Sequence, residues 1–343
     1  MSSPHLAFLG ALLFAACATT PTPTPEPTPP AVEVKLDPVP AGELRRPATY
    51  SMLAVLLPEG REPRDVVAAI AEAARPLDRA LTQDTQEIIS GAILVDVVPV
   101  EKLLAFQVID FESLGIPADE VERIKKTTRA VSMVIAGPAE SLVTVHRQAA
   151  DVARAAVAGG GWLFDGGTFQ VFTRERFDEF RPPGFPLEVE RLITVMVDDS
   201  KDEVRLETLG MERLGLPELR MGGVPKAHTD GAIALFNAAA QVVIEQAYIE
   251  RVGELVIDLR HARMPHLKEL HEEAVRAGGG EAVTLAAFWD RAGRTEDEDP
   301  VLKLDLMSSR PSRQEAFGEL LRKLFGAELE AGQTRSTGGS AAR

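Results

Sequence analysis

Apolar and polar positions follow two periods along most of this chain. Residues 51–57, SMLAVLL, are an unbroken apolar run closed by Pro58, the pattern of a buried strand. Pro63 then suits the first turn of a helix, where its missing N–H costs nothing. Val66, Ile70, Ala74, Leu77 and Leu81 mark the apolar stripe of that helix, and Pro76 predicts a kink or a break within it. Residues 91–99 read as a second strand and 118–128 as a short helix. The pattern then begins again. VSMVIA, 131–136, is a strand ending at Gly137-Pro138, and 139–157 is a helix with Leu142, Val145, Ala149, Val152 and Ala156 on one face. Gly159-Gly160-Gly161 stops it. Both units open on Ser-Met, at Ser51-Met52 and Ser132-Met133. This predicts either a duplicated β-α-β unit or two chance copies of a simple pattern.

WLFDGGTFQVF, 162–172, predicts a hairpin turning at Asp165-Gly166-Gly167. FRPPGFP, 180–186, reads as a hinge. Strands are expected at 191–198 and 203–208, a helix at 229–247, a strand at 252–259 and a helix at 265–277. Two further strands, 282–290 and 301–307, precede a last helix. That helix opens on a capping-box pattern, Ser312 to Glu315, carries Phe317, Leu320, Leu321, Leu324 and Phe325, and ends at Gly326. Strands in pairs with interspersed helices give an α+β fold, with mixed or antiparallel sheets and packed helices. The division is a first half over 48–182 and a second over 183–327. Whether the halves are related stays open.

The amino terminus follows different rules. LAFLGALLFAA, 6–16, carries no charge but is too short to span a bilayer, which takes about 20 residues. It fits the apolar core of a secretory signal. Phe14-Ala15-Ala16-Cys17 resembles the lipobox of bacterial lipoproteins, although Phe14 stands where that family usually has Leu and MSSPH supplies no Lys or Arg. The resemblance implies removal of residues 1–16 and lipidation of Cys17, with membrane lipid as the contact. An ordinary secretory signal that happens to hold a cysteine is the alternative. The Thr/Pro alternation over 18–30 favours polyproline II at about 3.1 Å per residue, a spacer of roughly 40 Å. Composition assigns 17–47 to the lipidated cysteine and tether, and 328–343 to a small, polar, disordered tail. Ala18 after the cysteine points to the outer membrane, by resemblance to lipoprotein sorting.

Charge and cysteine count narrow the chemistry. A net charge of −15 repels phosphate backbones and argues against nucleic acid as a partner. Cys17 is the single cysteine, so once it is acylated no disulfide, thiolate metal site or cysteine nucleophile remains. Aromatics at 5% do not suggest a sugar-stacking surface.

The candidate motifs are weak. His261, His266 and His271 fall in HARMPHLKELH. A zinc-protease pair needs four-residue spacing; five residues place two histidines about 140° apart around a helix. His271 reads as a packed histidine with one satisfied hydrogen bond. The glycine runs at 159–161 and 278–280 end helices rather than open them, so no phosphate cradle and no cofactor is expected. Asp198-Asp199 reads as a turn. The acidic run Glu296-Asp297-Glu298-Asp299 has oxygen ligands for calcium but reads as a solvated loop, and no metal is expected. The most individual stretch is TLGMERLGLPELRMGG, 208–223, where Gly210, Gly215 and Pro217 restrict a short turn that presents Arg213 and Glu218. Its GMxRxGxPEL pattern resembles a family of uncharacterised bacterial α+β domains over about 131–250, and the resemblance implies no activity. Arg213 and Glu218 are therefore a ligand site or a structural clamp. The reading of the whole is an envelope binding or scaffold module with an unknown envelope protein partner; an unrecognised hydrolase using Arg213, Glu218 or the second-half histidines is the alternative.

Overall fold

The computed structural model describes residues 36–326, apart from 104–105, 107–108, 110, 112–113, 262–264, 292–299, 308–309 and 311. Cys17, the signal and spacer up to 35, the acidic run Glu296–Asp299 and the tail over 328–343 lie outside the described residues.

The chain enters the fold as an extended strap, with β1 over Asp37–Pro38 and β2 over Gly42–Glu43. Residues 37–47, placed in the spacer by their composition, are therefore part of the body. Strand β3, Ala48–Leu56, and helix α1, Pro63–Ala74, follow. The helix buries Val66, Ile70 and Ala74. It ends before Pro76, in a 3-10 turn over Arg75–Leu77 and a left-handed Asp78 at φ 54°. Leu81, expected on the helix stripe, lies instead in strand β4, Leu81–Thr82. Strand β5 spans Ile93–Pro99, helix α2 Ala118–Lys125, strand β6 Arg129–Pro138 and helix α3 Leu142–Val157. The glycines after α3 take left-handed φ at Gly160 and Gly161. The Arg61 guanidinium donates to the carbonyls of Ala156 and Gly160, which caps the helix end from outside.

Strands β7, Trp162–Asp165, and β8, Gln170–Phe172, complete the first sheet in the order β4-β5-β6-β3-β7-β8. Strand β3 is antiparallel to both β6 and β7, and β5 is antiparallel to β6. The units β3-α1-β5 and β6-α3-β7 are thus interleaved in one sheet, a split β-α-β arrangement. Ser51 pairs with Ile135 and Ser132 with Ala54, so each serine faces the residue three places beyond the other. The two Ser-Met steps occupy equivalent points about a local two-fold axis. One face of the sheet carries α1 and α3. The other carries a smaller core in which Ala54, Leu56, Trp162 and Phe164 meet Ile116 and Ile124.

Helix α4, Arg174–Phe180, and helix α5, Val189–Leu192, carry the chain across. The strand expected from 191 begins at Thr194, because α5 holds Leu192. The second sheet takes β9, Thr194–Asp198, β10, Glu203–Leu209, and β11, Leu219–Pro225. Helix α6 covers Thr229–Gln246, and the short β12, Tyr248–Ile249, pairs with β2. Strand β13, Glu254–Ile257, helix α7, Pro265–Arg276, strands β14, Val283–Asp290, and β15, Val301–Leu306, and helix α8, Arg313–Phe325, finish the chain. The Ser312 hydroxyl accepts the Glu315 N–H at 3.1 Å, as the capping pattern predicts. This sheet is mixed, with order β1-β14-β15-β11-β10-β9, β13 also on β14, and β11 parallel to β15. Its order differs from that of the first sheet, so the repeat belongs to the first half. One continuous core joins the halves, with Leu53, Val55 and Val145 in the same cluster as Leu214, Leu216 and Phe236.

Candidate functional site: a buried charge junction between the sheets

The turn between β10 and β11 is the point where the two sheets meet. Gly210 at φ 111° and Gly215 at φ 74° supply left-handed conformations that other residues resist. At Gly215 the need is also spatial, since a Cβ would lie 2.8 Å from the Ala48 carbonyl oxygen. The turn thereby reaches the start of β3. The Arg46 N–H donates to the Gly215 carbonyl at 2.7 Å, and the Thr49 hydroxyl donates to the Arg213 carbonyl at 2.8 Å.

Glu218 closes this turn from within. Its Oε1 accepts the N–H groups of Gly210 at 2.8 Å and Glu212 at 3.2 Å, and its Oε2 accepts the Thr208 hydroxyl at 2.6 Å. Thr208 Oγ1 in turn accepts the Leu219 N–H at 2.7 Å, and the Leu302 N–H donates to the Glu218 carbonyl. The side chain is 6% exposed. Burial raises its pKa to about 7 and outweighs these hydrogen bonds, which pull it down.

Arg213 leaves the turn in another direction. It is 1% exposed, and its Nη1 donates to Asp165 Oδ1 at 2.6 Å while Nη2 donates to the Leu192 carbonyl. Asp165 ends β7 and is fully buried. Its Oδ2 accepts from Arg181 Nη2 at 2.6 Å, and Oδ1 also accepts the Gly167 N–H at 2.9 Å. Arg181 is held in place by its own Nε, which donates to the Arg191 carbonyl at 2.9 Å, and by Arg154 Nη2, which donates to the Arg181 carbonyl at 2.7 Å. Asp165 therefore bridges two guanidiniums from beyond its own sheet. Burial would raise its pKa, but Arg213 and then Arg181 overcome this and hold it well below the usual carboxylate range. His146, buried on α3, lies with Nε2 3.5 Å from Thr49 Oγ1. Burial first, then the charges of Arg213 and Arg181, push its pKa well below 6.5, so it is neutral.

The hairpin glycines have a different purpose from the one their sequence suggests. The expected hairpin is present: Asp165 pairs with Gln170, and the loop is Gly166–Phe169. A Cβ on Gly167 would lie 2.6 Å from Arg213 Cδ. The glycine makes room for the arginine.

The structure thus separates the two residues singled out from the sequence. Arg213 and Glu218 do not bond each other: one ties the sheets together, and the other fixes the turn that carries it. Asp165, Arg181, Thr49 and His146 escaped the sequence reading. Arg181 sat in a stretch read as a hinge and Asp165 in a tripeptide read as a turn. Of the histidines, His261 ends a 3-10 turn, His266 lies in the first turn of α7, and His271 Nδ1 is buried with no hydrogen-bond partner among the described residues. Asp198 forms the expected turn, its Oδ1 accepting both the N–H and the hydroxyl of Ser200. An open polar cleft of about 540 Å³ beside α8 is lined by Glu281, Arg310, Glu315 and Glu319 among others, with Arg310 and Lys323 both paired to Glu319. Among the described residues, no group of three His, Cys, Asp or Glu side chains is placed to hold a metal, and no helix is long and apolar enough to cross a membrane. Comparison of the chain with family models, with curated proteins and with solved structures found no match.

Proposed function

We propose that this chain is a lipid-anchored cell-envelope protein, held at the outer membrane through acylated Cys17, whose body acts as a non-enzymatic binding or scaffold module for another envelope protein. The observation that carries this reading is the internal closure of the junction. Among the described residues, Asp165, Arg181 and Arg213 are the most deeply buried Asp, Glu, Lys or Arg side chains, and the Arg213–Asp165 pair joins one sheet to the other. A catalytic acid, base or anion holder needs a face open to substrate. These groups face one another instead, and Arg213 ties the second half to the first. The apolar run ending at Cys17 and the Thr/Pro tract after it supply an anchor and a reach suited to such a module.

Fractionation tests the anchor. Cys17→Ser is expected to move the protein from the membrane to the soluble fraction, and retention of the variant after a carbonate wash would overturn the anchor. Crosslinking in intact cells, followed by detergent extraction, tests the module. A reproducible heteromeric product with an envelope protein is expected, and recovery of uncrosslinked chain only would overturn that part of the reading.

A further inference from the structure

One edge of the second sheet is shared by two separate pieces of chain. Strand β13 pairs with β14 from Glu254↔Ala286 to Ile257↔Val283, and β1 takes the same edge further along, at Asp37↔Trp289 and Pro38↔Phe288. Both run antiparallel to β14, so they lie end to end as one interrupted strand. Ala287 marks the junction. Its carbonyl accepts the Val39 N–H at 3.1 Å, its N–H donates to the Gly253 carbonyl at 2.8 Å, and the Gly253 N–H donates to the Val39 carbonyl at 2.8 Å. Gly253 has φ 72°, and a Cβ there would stand 3.2 Å from Pro38 Cβ. Glycine at this point lets the strap approach.

Few contacts hold the strap. Val39 and Leu44 are its buried side chains, while Asp37, Pro38, Pro40, Ala41 and Glu43 are exposed. Pro38 and Pro40 have no N–H, so Val39 is the only donor of its triplet. Further on, β2 makes a two-residue pairing with β12, the Leu44 N–H donates to the Ala247 carbonyl at 2.8 Å, and the Arg46 N–H ties the end of the strap to the Gly215 carbonyl at 2.7 Å. Strand β3, which follows directly, pairs with β6 along its whole length and with β7 over Leu53–Leu56. The boundary between weakly and strongly held backbone therefore falls at about residue 47.

We propose that residues 37–46 are an exchangeable strand. In cis they occupy a strand-addition groove formed by β14, Gly253 and the apolar hollow that Val39 fills, and they release from it as a unit while the rest of the fold stays closed. Backbone hydrogen bonds at Ala287 and Gly253 select an extended chain, and the hollow selects one aliphatic side chain between prolines. The occupant is the chain's own strap.

Two measurements on the full chain test this. In native-state hydrogen exchange the Val39 and Gly253 amides are expected to exchange about 100-fold or more faster than those of Val55 and Met133, as a subglobal opening requires. In the second, a fluorescent peptide of residues 36–46 is titrated into wild type and into the Val39→Asp chain. The intact strap competes at an effective concentration of order millimolar, so the peptide is expected to bind Val39→Asp about tenfold or more tighter than wild type. The same peptide carrying Val39→Asp is expected to bind neither. If Val39→Asp does not fold, Leu44→Asp serves the same comparison. Exchange of Val39 at the rate of the core amides, or equal uptake of peptide by wild type and variant, would overturn the proposal.

Discussion

At the scale of the residue, the junction obeys a charge count. Asp165 answers two guanidiniums, so the three partners do not contribute equally. Removing Arg213 leaves the pair Asp165–Arg181 intact, at 2.6 Å. Removing the carboxylate leaves two buried cations facing each other. Breaking a buried pair by deleting one partner costs about 3–5 kcal/mol. Arg213→Ala is expected near the lower end of that range and Asp165→Asn at or beyond the upper end, as read by urea unfolding; the reverse order would show that the count is wrong. Gly167 tests the geometry. Overpacking a filled site costs about 1–3 kcal/mol, and Gly167→Ala places its methyl against Arg213 Cδ. In an Arg213→Ala background that clash is absent, so the double variant is expected to lose clearly less than the sum of the singles. Strict additivity would mean that Gly167 serves the hairpin and not the arginine.

At the scale of the element, the amino-terminal strap decides where the folded body begins. Val39 and Leu44 are buried against the second half, although the strap leads into β3 of the first. Full burial of an aliphatic side chain stabilises by about 1.5–3 kcal/mol, partly offset by the entropy of ordering the segment. A chain starting at Leu36 is therefore expected to match a longer one in thermal unfolding. One starting at Ala48 should melt lower, with the second sheet losing amide protection first. Equal melting of the two truncated chains would show that the strap adds nothing to the fold.

At the scale of the whole molecule, two buried groups oppose each other in their response to pH. Glu218 has a folded pKa of about 7, above its unfolded value near 4.5. The folded state then holds its proton more tightly, so this group's contribution is complete below about 4.5 and declines as pH rises to about 7. His146 is depressed below 6.5, so its contribution is present at neutral pH and is lost as pH falls below the unfolded value. Between about 4.5 and 6.5 the two slopes cancel in part. Stability followed by urea unfolding is expected to rise with pH in Glu218→Gln and to fall with pH in His146→Leu over this window, with wild type flatter than either. Parallel profiles in all three would show that neither group titrates as its surroundings require.

The sequence by itself determined the elements whose signals are local. The apolar stripe of α3, the Ser312 cap of α8 and the buried run of β3 depend on residues a few positions apart, and they stand where the pattern places them. The α+β class follows from their order, and the Ser-Met repeat marks the two-fold axis of the first sheet. Glycine and proline spacing also picked out 208–223 as a constrained turn. Only the tertiary structure decided what that turn does. Arg213 meets Asp165 at a separation of 48 sequence positions, and no local pattern encodes a partner at that distance. Gly167 looked like a hairpin glycine because the reason for its missing side chain is an arginine from another sheet. Pro38 and Pro40 looked like tether because composition records the lack of hydrogen-bond donors but not the single buried valine between them. A pairing between distant segments is fixed by the closure of the whole core, which brings together side chains that the order of the chain keeps apart.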